Sequence, residues 1–590
     1  MSGIYGIVGP AGPEELAPLA ERLRHRGAAG GEWSVSPGVH LGQRLRGGPG
    51  ELFTAPSVPV AFDGFIDNRP ELLQLLGGRE SEYCDDASLV FGLYHRFGTD
   101  GFRHLRGQFG IALIDPASGG LVLARDRWGT RSVYFARHQG CIVFASEYKA
   151  LLAFRQFPAR PNLEAIQYVQ CTLHGHPRAC FLAEVQVVPA AGWVTFRDGE
   201  PVSGRFWEPR LHILSRPEEE HAASVRRCFL DALREQATGK PAVGVALSGG
   251  LDSALVVGGL HQVMPGIPVH TFTAGFGEGD PEMMGAAQVA RHFGTIHHEV
   301  VLPPERLPDV LRPMVWHIED TVGHEEVAYL YITTREATRY VDTLFSGRKA
   351  DMLFAGMPRH KLIKLMTVLP MFRGGLREFY NFTQTGREPG GPLGKALVRA
   401  YYRGAEIPPA HVIGVLDYPP PDPLPMDVAQ PLNEKLRRDI FDEPVTMSAT
   451  ERLHGAFAMH SNSPFMDYRM FDCAFQVPDD LKVHRLRQKH ILRVACRGLL
   501  PEGILERKKS LQRLKHDQIL SDVLERLAAE LLSPAAVAAR GFFTSAHVQR
   551  VRRRPAGAPY PSIQVYRLWS LLLAELWAQA FLDRRGAPLA

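Results

Sequence analysis

The chain has 590 residues, 45% of them hydrophobic and 22% charged, with 67 basic against 63 acidic side chains and a net charge of +4. That length allows several units of ordinary domain size, and the apolar content is enough for packed cores, which excludes wholesale disorder. The near-neutral balance argues against nucleic acid or an anionic membrane as a bulk partner.

In chain order, the first 200 residues read as strand-rich. GIYGIVG (3–9), VPVAFDGFI (58–66), GIALID (110–115), LVLARD (121–126), SVYFARH (132–138) and CIVFAS (141–146) are short, β-branched or aromatic, and alternating. ASGG between the third and fourth strands, and HQG between the last two, are hairpin connections. EELAPLAERLRHR (14–26) and DASLVFGLYHRF (86–97) carry apolar residues at helical spacing. Hairpins with a few helices predict a layered α+β unit.

Between Glu208 and Glu220, proline and charge replace the strand pattern and mark a boundary. Beyond it the texture alternates: helix 220–237, strand 242–247, a glycine turn, helix 252–264, strand 269–276, helix 283–293, strand 297–302. Such βαβ alternation predicts a parallel sheet covered on both faces. From Met352 the pattern is mostly helical, with proline-rich loops at Pro419–Pro425 and Pro555–Pro561. The seven cysteines form no CxxC pair, the N-terminus lacks a signal-peptide pattern, and no window offers a membrane span. These features predict a reducing, cytoplasmic setting with no membrane partner.

The chemistry concentrates in VALSGGLDSA, Val245 to Ala254. A buried strand ends at Leu247, Gly249 and Gly250 make a tight turn, and a helix opens near Asp252. Backbone N–H groups at such a turn and helix start form an anion cradle, to which Ser248 and Ser253 add hydroxyls. Asp252 is an acid inside an anion site, which a cation such as Mg²⁺ between it and the phosphates would reconcile. The GK[ST] ending of a Walker-type loop is absent, so simple γ-phosphate transfer is not implied.

SGGLDS resembles the pyrophosphate loop of ATP pyrophosphatases, and the chain as a whole resembles the asparagine synthetase family, including cysteine-less relatives such as β-lactam synthetase. The strings that carry the likeness are MSGIYGIVG, HRG (25–27), LRGQFGIALID (105–115), LARDRWGTRSVYF (123–135), FASEYKALL (144–152), HTFTAGF (270–276), FGTIHHEV (293–300), WHIED (316–320), PFMD (464–467) and RQKHILR (487–493). The resemblance implies an N-terminal-nucleophile αββα sandwich over residues 1–209. A doubly wound α/β adenylating domain with a helical extension would follow over 210–590.

It also implies roles. Leu247, Ser248, Gly249, Ala274, Ser346 and Gly347 would contact ATP. Asp252 and Asp351 would hold Mg²⁺ on the pyrophosphate, and Lys489 would meet negative charge at the α-phosphate and acyl centre. Three departures limit the likeness. Ser2 stands where the family has its cysteine nucleophile, and a hydroxyl is far less nucleophilic than a thiolate. Arg44 and Asp86 match the glutamine pocket, but Asp63 replaces an asparagine, which implies a vestigial glutaminase site. Arg348 occupies the place of a catalytic glutamate or tyrosine and cannot act as a base, although it could clamp a carboxylate or phosphate. After WHIED the aspartate-binding stretch is absent, leaving His324, Glu325 and Glu326 nearby, and Glu326 or His324 is a candidate base.

The expected function is an ATP-dependent, AMP-forming amide ligase in specialised metabolism. It would not use glutamine; its partners would be a small carboxylate and an amine, or one amino acid-like substrate that closes on itself. The alternatives are synthesis with free ammonia or with glutamine through Ser2, and a nucleotide-binding scaffold without turnover. A homodimer stays open as the assembly.

Overall fold

The first two sheets owe their packing to strict alternation along the strands. The computed structural model describes residues 2–45, 57–176, 179–197, 199–323, 326–385, 389–402, 426, 428–442, 444–507, 517–554, 557–560 and 562–589. Its first unit carries β1 (Gly3–Val8), β2 (Ala29–Ser36), β3 (Val39–Leu45), β4 (Val60–Ile66), β5 (Gly107–Ile114) and β6 (Leu121–Arg125). β7 (Tyr134–His138), β8 (Cys141–Ala145), β9 (Gln186–Val187), β10 (Gly192–Arg197) and β11 (Glu200–Arg205) complete it. They form one sheet in the order β2-β3-β1-β8-β7-β9 and a second in the order β11-β10-β6-β5-β4.

On β1, Ile4 joins Ala112, Leu123, Phe135 and Phe144 in the core between the sheets. Tyr5 and Ile7 point the other way, into a core shared with helix Leu16–Arg22. The outer face of the second sheet, with Phe109, Ile111 and Leu113, packs on Leu89, Val90 and Leu93 of helix Asp86–Phe97. The result is the αββα sandwich.

The HQG connection forms as expected, with Gln139 and Gly140 both at positive φ, as a tight right-twisted hairpin requires. The expected helix 14–26 is broken instead. It is α-helical only over Leu16–Arg22, flanked by 3₁₀ turns at Pro13–Glu15 and Arg24–Arg26. Gly27 lies so close to the Leu45 backbone that no Cβ fits there, so the chain must tighten before it and swing Arg26 inward.

Residues 207–217 run without regular structure into helix Glu218–Ala237. The second sheet-bearing unit contains β12 (Val243–Ala246), β13 (Val269–Gly275), β14 (Ile296–Val301), β15 (Thr343–Phe345) and β16 (His460–Asn462). All pair in parallel in the order β14-β13-β12-β15-β16, with helices such as Leu251–Val263 covering the sheet. The C-terminal helix Ser562–Ala578 buries Leu568, Trp569 and Leu572 in the core that also holds Tyr5 and Tyr148, binding the chain's two ends together. Among the described residues no helix is long and apolar enough to cross a membrane.

Candidate active site

The glycine turn after β12 is built by close approach. Gly249 has φ +68, and a Cβ there would meet the backbone of Gly285 and Ala286 at 2.7 Å. Leu247 is buried, its N–H donating to Phe272 O at 2.8 Å. Ser248 N–H donates to Ser253 Oγ at 3.2 Å, so the two serines brace each other across the turn. Gly250 caps helix Leu251–Val263, whose first turn carries Asp252. Ala274 is buried at the end of β13, next to β12 in the sheet.

β15 delivers the second loop. Ser346 N–H donates to Asn462 O at 2.9 Å, while Ser346 Oγ is buried with no partner in the protein. Gly347 lies against Asp252 so closely that a Cβ would reach the Asp252 Cβ at 2.5 Å. Asp351 follows in the short helix Ala350–Leu353. Lys489 arrives from the far end of the unit, at φ +55 as the residue preceding helix His490–Ala495. Its Nζ stands 2.6 Å from Asp252 Oδ1 and 2.5 Å from Asp351 Oδ1. Burial pulls this ammonium down, but Asp252 and Asp351 outweigh burial and hold it above its ordinary value. Gly356 leaves the room: a side chain there would run into Asp351 and Lys489 together.

Two carboxylates on a phosphate-type turn fit Mg²⁺, which takes one or two protein carboxylates and fills its shell with phosphate and water oxygens. Among the described residues no cluster of three or more His, Cys, Asp or Glu side chains that could hold a metal occurs. The orphaned Ser346 Oγ suits a phosphate oxygen. The sequence reading missed Arg507, whose Nη1 donates to Gly249 O at 2.8 Å and brings a guanidinium to the turn. His324, Glu325 and the Pro419–Pro425 loop lie outside the described residues.

Arg348 is ion-paired within the protein. Its Nη1 is paired with Glu451 Oε1 at 2.8 Å, and its carbonyl accepts from Ser463 Oγ at 2.9 Å. Glu451 belongs to helix Pro444–Ala456, about a hundred residues on, and no local motif marks it. Burial pushes its carboxyl up, but Arg348 and its other cationic neighbours prevail and keep it below the usual range. Glu326 stands exposed in the first turn of helix Glu326–Ala337.

A second constellation surrounds Ser2. Its Oγ donates to Asp63 Oδ1 at 3.0 Å, and Gly64 N–H donates to Ser2 Oγ at 3.3 Å. Asp63 is fully buried and also receives Arg26 Nη2 at 2.8 Å and Ser146 Oγ at 3.2 Å. Arg26 further binds Glu147 at 2.9 Å and the Ser2 carbonyl at 2.8 Å. Arg44 sits beside Gly3 in the sheet and donates to Ala20 O at 3.1 Å. Asp86 pairs with Arg69 at 3.2 Å, and burial, the larger effect, raises its carboxyl above the ordinary range.

Comparison with known proteins follows the same division. The family described as Asparagine synthase matches residues 224–579, and the Glutamine amidotransferase domain matches residues 1–207. Asparagine synthetase [glutamine-hydrolyzing] 1 of Bacillus subtilis (strain 168) is 25% identical over 475 residues, covering 76% of this chain and 74% of that protein. A putative asparagine synthetase [glutamine-hydrolyzing] of Mycobacterium tuberculosis (strain ATCC 25618 / H37Rv) is 25% identical over 648 residues, covering 99% of this chain and 96% of that protein. Among solved structures, the glutamine phosphoribosylpyrophosphate amidotransferase of B. subtilis matches 52% of this chain and 70% of its own, at 14% identity and a TM-score of 0.26.

Proposed function

Since the chain belongs to the asparagine synthase family, whose members are carbon–nitrogen ligases that form AMP and pyrophosphate, we propose that it joins a small carboxylate to an amine without drawing nitrogen from glutamine. In the first step the carboxylate oxygen attacks the α-phosphorus of ATP, and pyrophosphate leaves. In the second the amine attacks the acyl carbon, AMP leaves, and the amine gives up a proton.

The chain's own groups are suited to the first step. N–H groups of Gly249, Gly250 and the start of helix Leu251–Val263 would donate to phosphate oxygens, with Ser248, Ser253 and Ser346 as hydroxyl partners and Ala274 and Gly347 meeting the nucleotide. Asp252 and Asp351 would hold Mg²⁺, which neutralises charge on the departing pyrophosphate. Lys489, held protonated by those carboxylates, is the cation for charge developing at the α-phosphate and the acyl oxygen.

One observation carries the claim that glutamine is not used: the Ser2 hydroxyl donates to a carboxylate already committed to Arg26. That hydroxyl, held inside the Asp63–Arg26 pair, is in any case far less nucleophilic than a thiolate. On this reading residues 1–209 are a structural unit, 210–590 the ligase, and the amine is either part of the same substrate, as in the β-lactam synthetase-like branch, or a separate molecule in specialised metabolism.

The scaffold reading has one observation behind it, the Arg348–Glu451 pair where the resemblance implies a catalytic glutamate or tyrosine. Carboxylate-dependent exchange of labelled pyrophosphate into ATP, run over cell-extract fractions with mass-spectrometric capture of the adenylate, separates the two. Exchange that needs no glutamine supports the ligase; tight ATP binding with no adenylate in any fraction supports the scaffold.

A further inference from the structure

A small cavity of about 30 Å³ lies where the first unit meets the end of β16, with Phe65, Trp128, Met466 and Tyr468 on its apolar sides. Its polar lining includes three amides, Gln108, Gln236 and Asn462, each at least nine-tenths buried. Every one of them spends its NH₂ on a backbone carbonyl. Gln108 Nε2 donates to Ser461 O at 2.6 Å, Gln236 Nε2 to Ser463 O at 3.3 Å, and Asn462 Nδ2 to Gln236 O at 3.3 Å. Those bonds fix which way each amide faces. Gln108 Oε1, Gln236 Oε1 and Asn462 Oδ1 are left buried without a partner in the protein.

A buried acceptor with no donor is costly, and three lining one cavity call for a guest with several donors. An ammonium group carries three N–H donors and no acceptor. We propose that this cavity binds a small primary ammonium, its three N–H groups meeting Gln108 Oε1, Gln236 Oε1 and Asn462 Oδ1.

The charges around the cavity admit such a guest. Asp67 lines it, and burial, then the nearby carboxylates of Asp467 and Glu235, push the Asp67 carboxyl up to about 7 against the pull of Arg106 and Arg469. A cation beside it restores its negative charge. The two lining arginines are engaged elsewhere: Arg106 with Glu71 at 2.7 Å and Glu235 at 3.4 Å, Arg127 with the Leu105 and Arg103 carbonyls. Their Nε groups are buried without a partner in the protein and would be met by water rather than by the ammonium, which has no acceptor.

The cavity also adjoins the ATP-side loop. Asn462 O receives Ser346 N–H, and Ser463 Oγ holds the Arg348 carbonyl. Assigning the guest as the amine substrate rests on the ligase reading above; the binding itself does not, and it is tested without turnover.

Thermal unfolding of the full chain is followed with methylammonium chloride, tetramethylammonium chloride and potassium chloride at equal ionic strength. Methylammonium is expected to raise the midpoint saturably, whereas tetramethylammonium, which has no N–H, and potassium do not. Gln108→Met and Asn462→Leu should each weaken the apparent affinity at least tenfold, with ATP binding retained in Gln108→Met, which also serves alone if Asn462→Leu does not fold. Equal shifts with all three salts, or no shift with methylammonium, overturn the proposal and leave the cavity to ordinary water. Failure of the ligase reading would show separately, as methylammonium binding without pyrophosphate exchange.

Discussion

The hydroxyl of Ser2 donates to Asp63 at 3.0 Å, and Asp63 is held in turn by Arg26 at 2.8 Å. Asp63 accepts from Ser2 through Oδ1 and from Arg26 through Oδ2, so the hydroxyl is tied into a buried ion pair and lacks the nucleophilicity of a thiolate. The protein is expected to release no glutamate from glutamine, and Ser2→Ala should change amine-dependent ligase turnover by less than about twofold. Glutamate release that vanishes in Ser2→Ala would overturn the structural assignment of residues 1–209.

The same pair carries a stability prediction. Arg26 is buried between Asp63 and Glu147, both fully shielded from water. Asp63→Asn removes one of its two counter-charges, and breaking a buried pair costs about 3–5 kcal/mol. Because Glu147 still faces Arg26, the loss is expected near about 3 kcal/mol, read as a shift of the urea midpoint at constant slope. A change below about 1 kcal/mol would mean that Glu147 alone suffices.

Lys489 bridges Asp252 and Asp351 at 2.6 and 2.5 Å. Removing a cation aimed at developing charge costs about 10²–10³ in rate, so Lys489→Met should lower kcat by that factor. The variant also leaves two uncompensated carboxylates facing each other across the turn, which should lower the Mg²⁺ concentration needed for half-maximal ATP binding. Pyrophosphate release and a fluorescent ATP analogue give the two readouts. An unchanged kcat would remove Lys489 from the reacting centre.

Much of this site was legible because the chemistry is local. Strand, Ser248-Gly249-Gly250 turn and Asp252 occupy one short string, and the spacing alone places them at one strand-to-helix turn. Where the sequence signal failed, the elements were short or the partners distant. β15 and β16 are three residues each, too brief for alternation to register, yet one leads directly into Ser346 and the other ends at Asn462. β2 opens Ala-Gly-Gly, which reads as a loop until β3 pairs with it. Glu451 meets Arg348 across about a hundred residues, and Arg507 reaches Gly249 across more than twice that. Only tertiary packing specifies such pairs.

The fold also fixes how stability should follow pH. Burial, the largest effect on both, pushes His454 and His547 down to about 4, with Arg348 and Arg131 adding to it at the first and Arg567 and Arg550 at the second. An unfolded histidine takes its proton near 6.5, so between pH 6.5 and 4 the unfolded chain binds more protons than the folded one. Their contribution is therefore complete above pH 6.5 and is lost as pH falls towards 4, up to about 3 kcal/mol each. Glu319 acts in the opposite sense. Burial raises its carboxyl to about 7 although it receives the Tyr148 and Lys149 N–H groups. Its contribution is complete below about pH 4.5 and is lost as pH rises towards 7. His547→Gln should flatten the acid limb of a urea-derived stability profile by up to about one proton, and Glu319→Gln should steepen it. If neither slope moves, neither group titrates differently in the folded and unfolded chain, and the acid limb belongs to other groups.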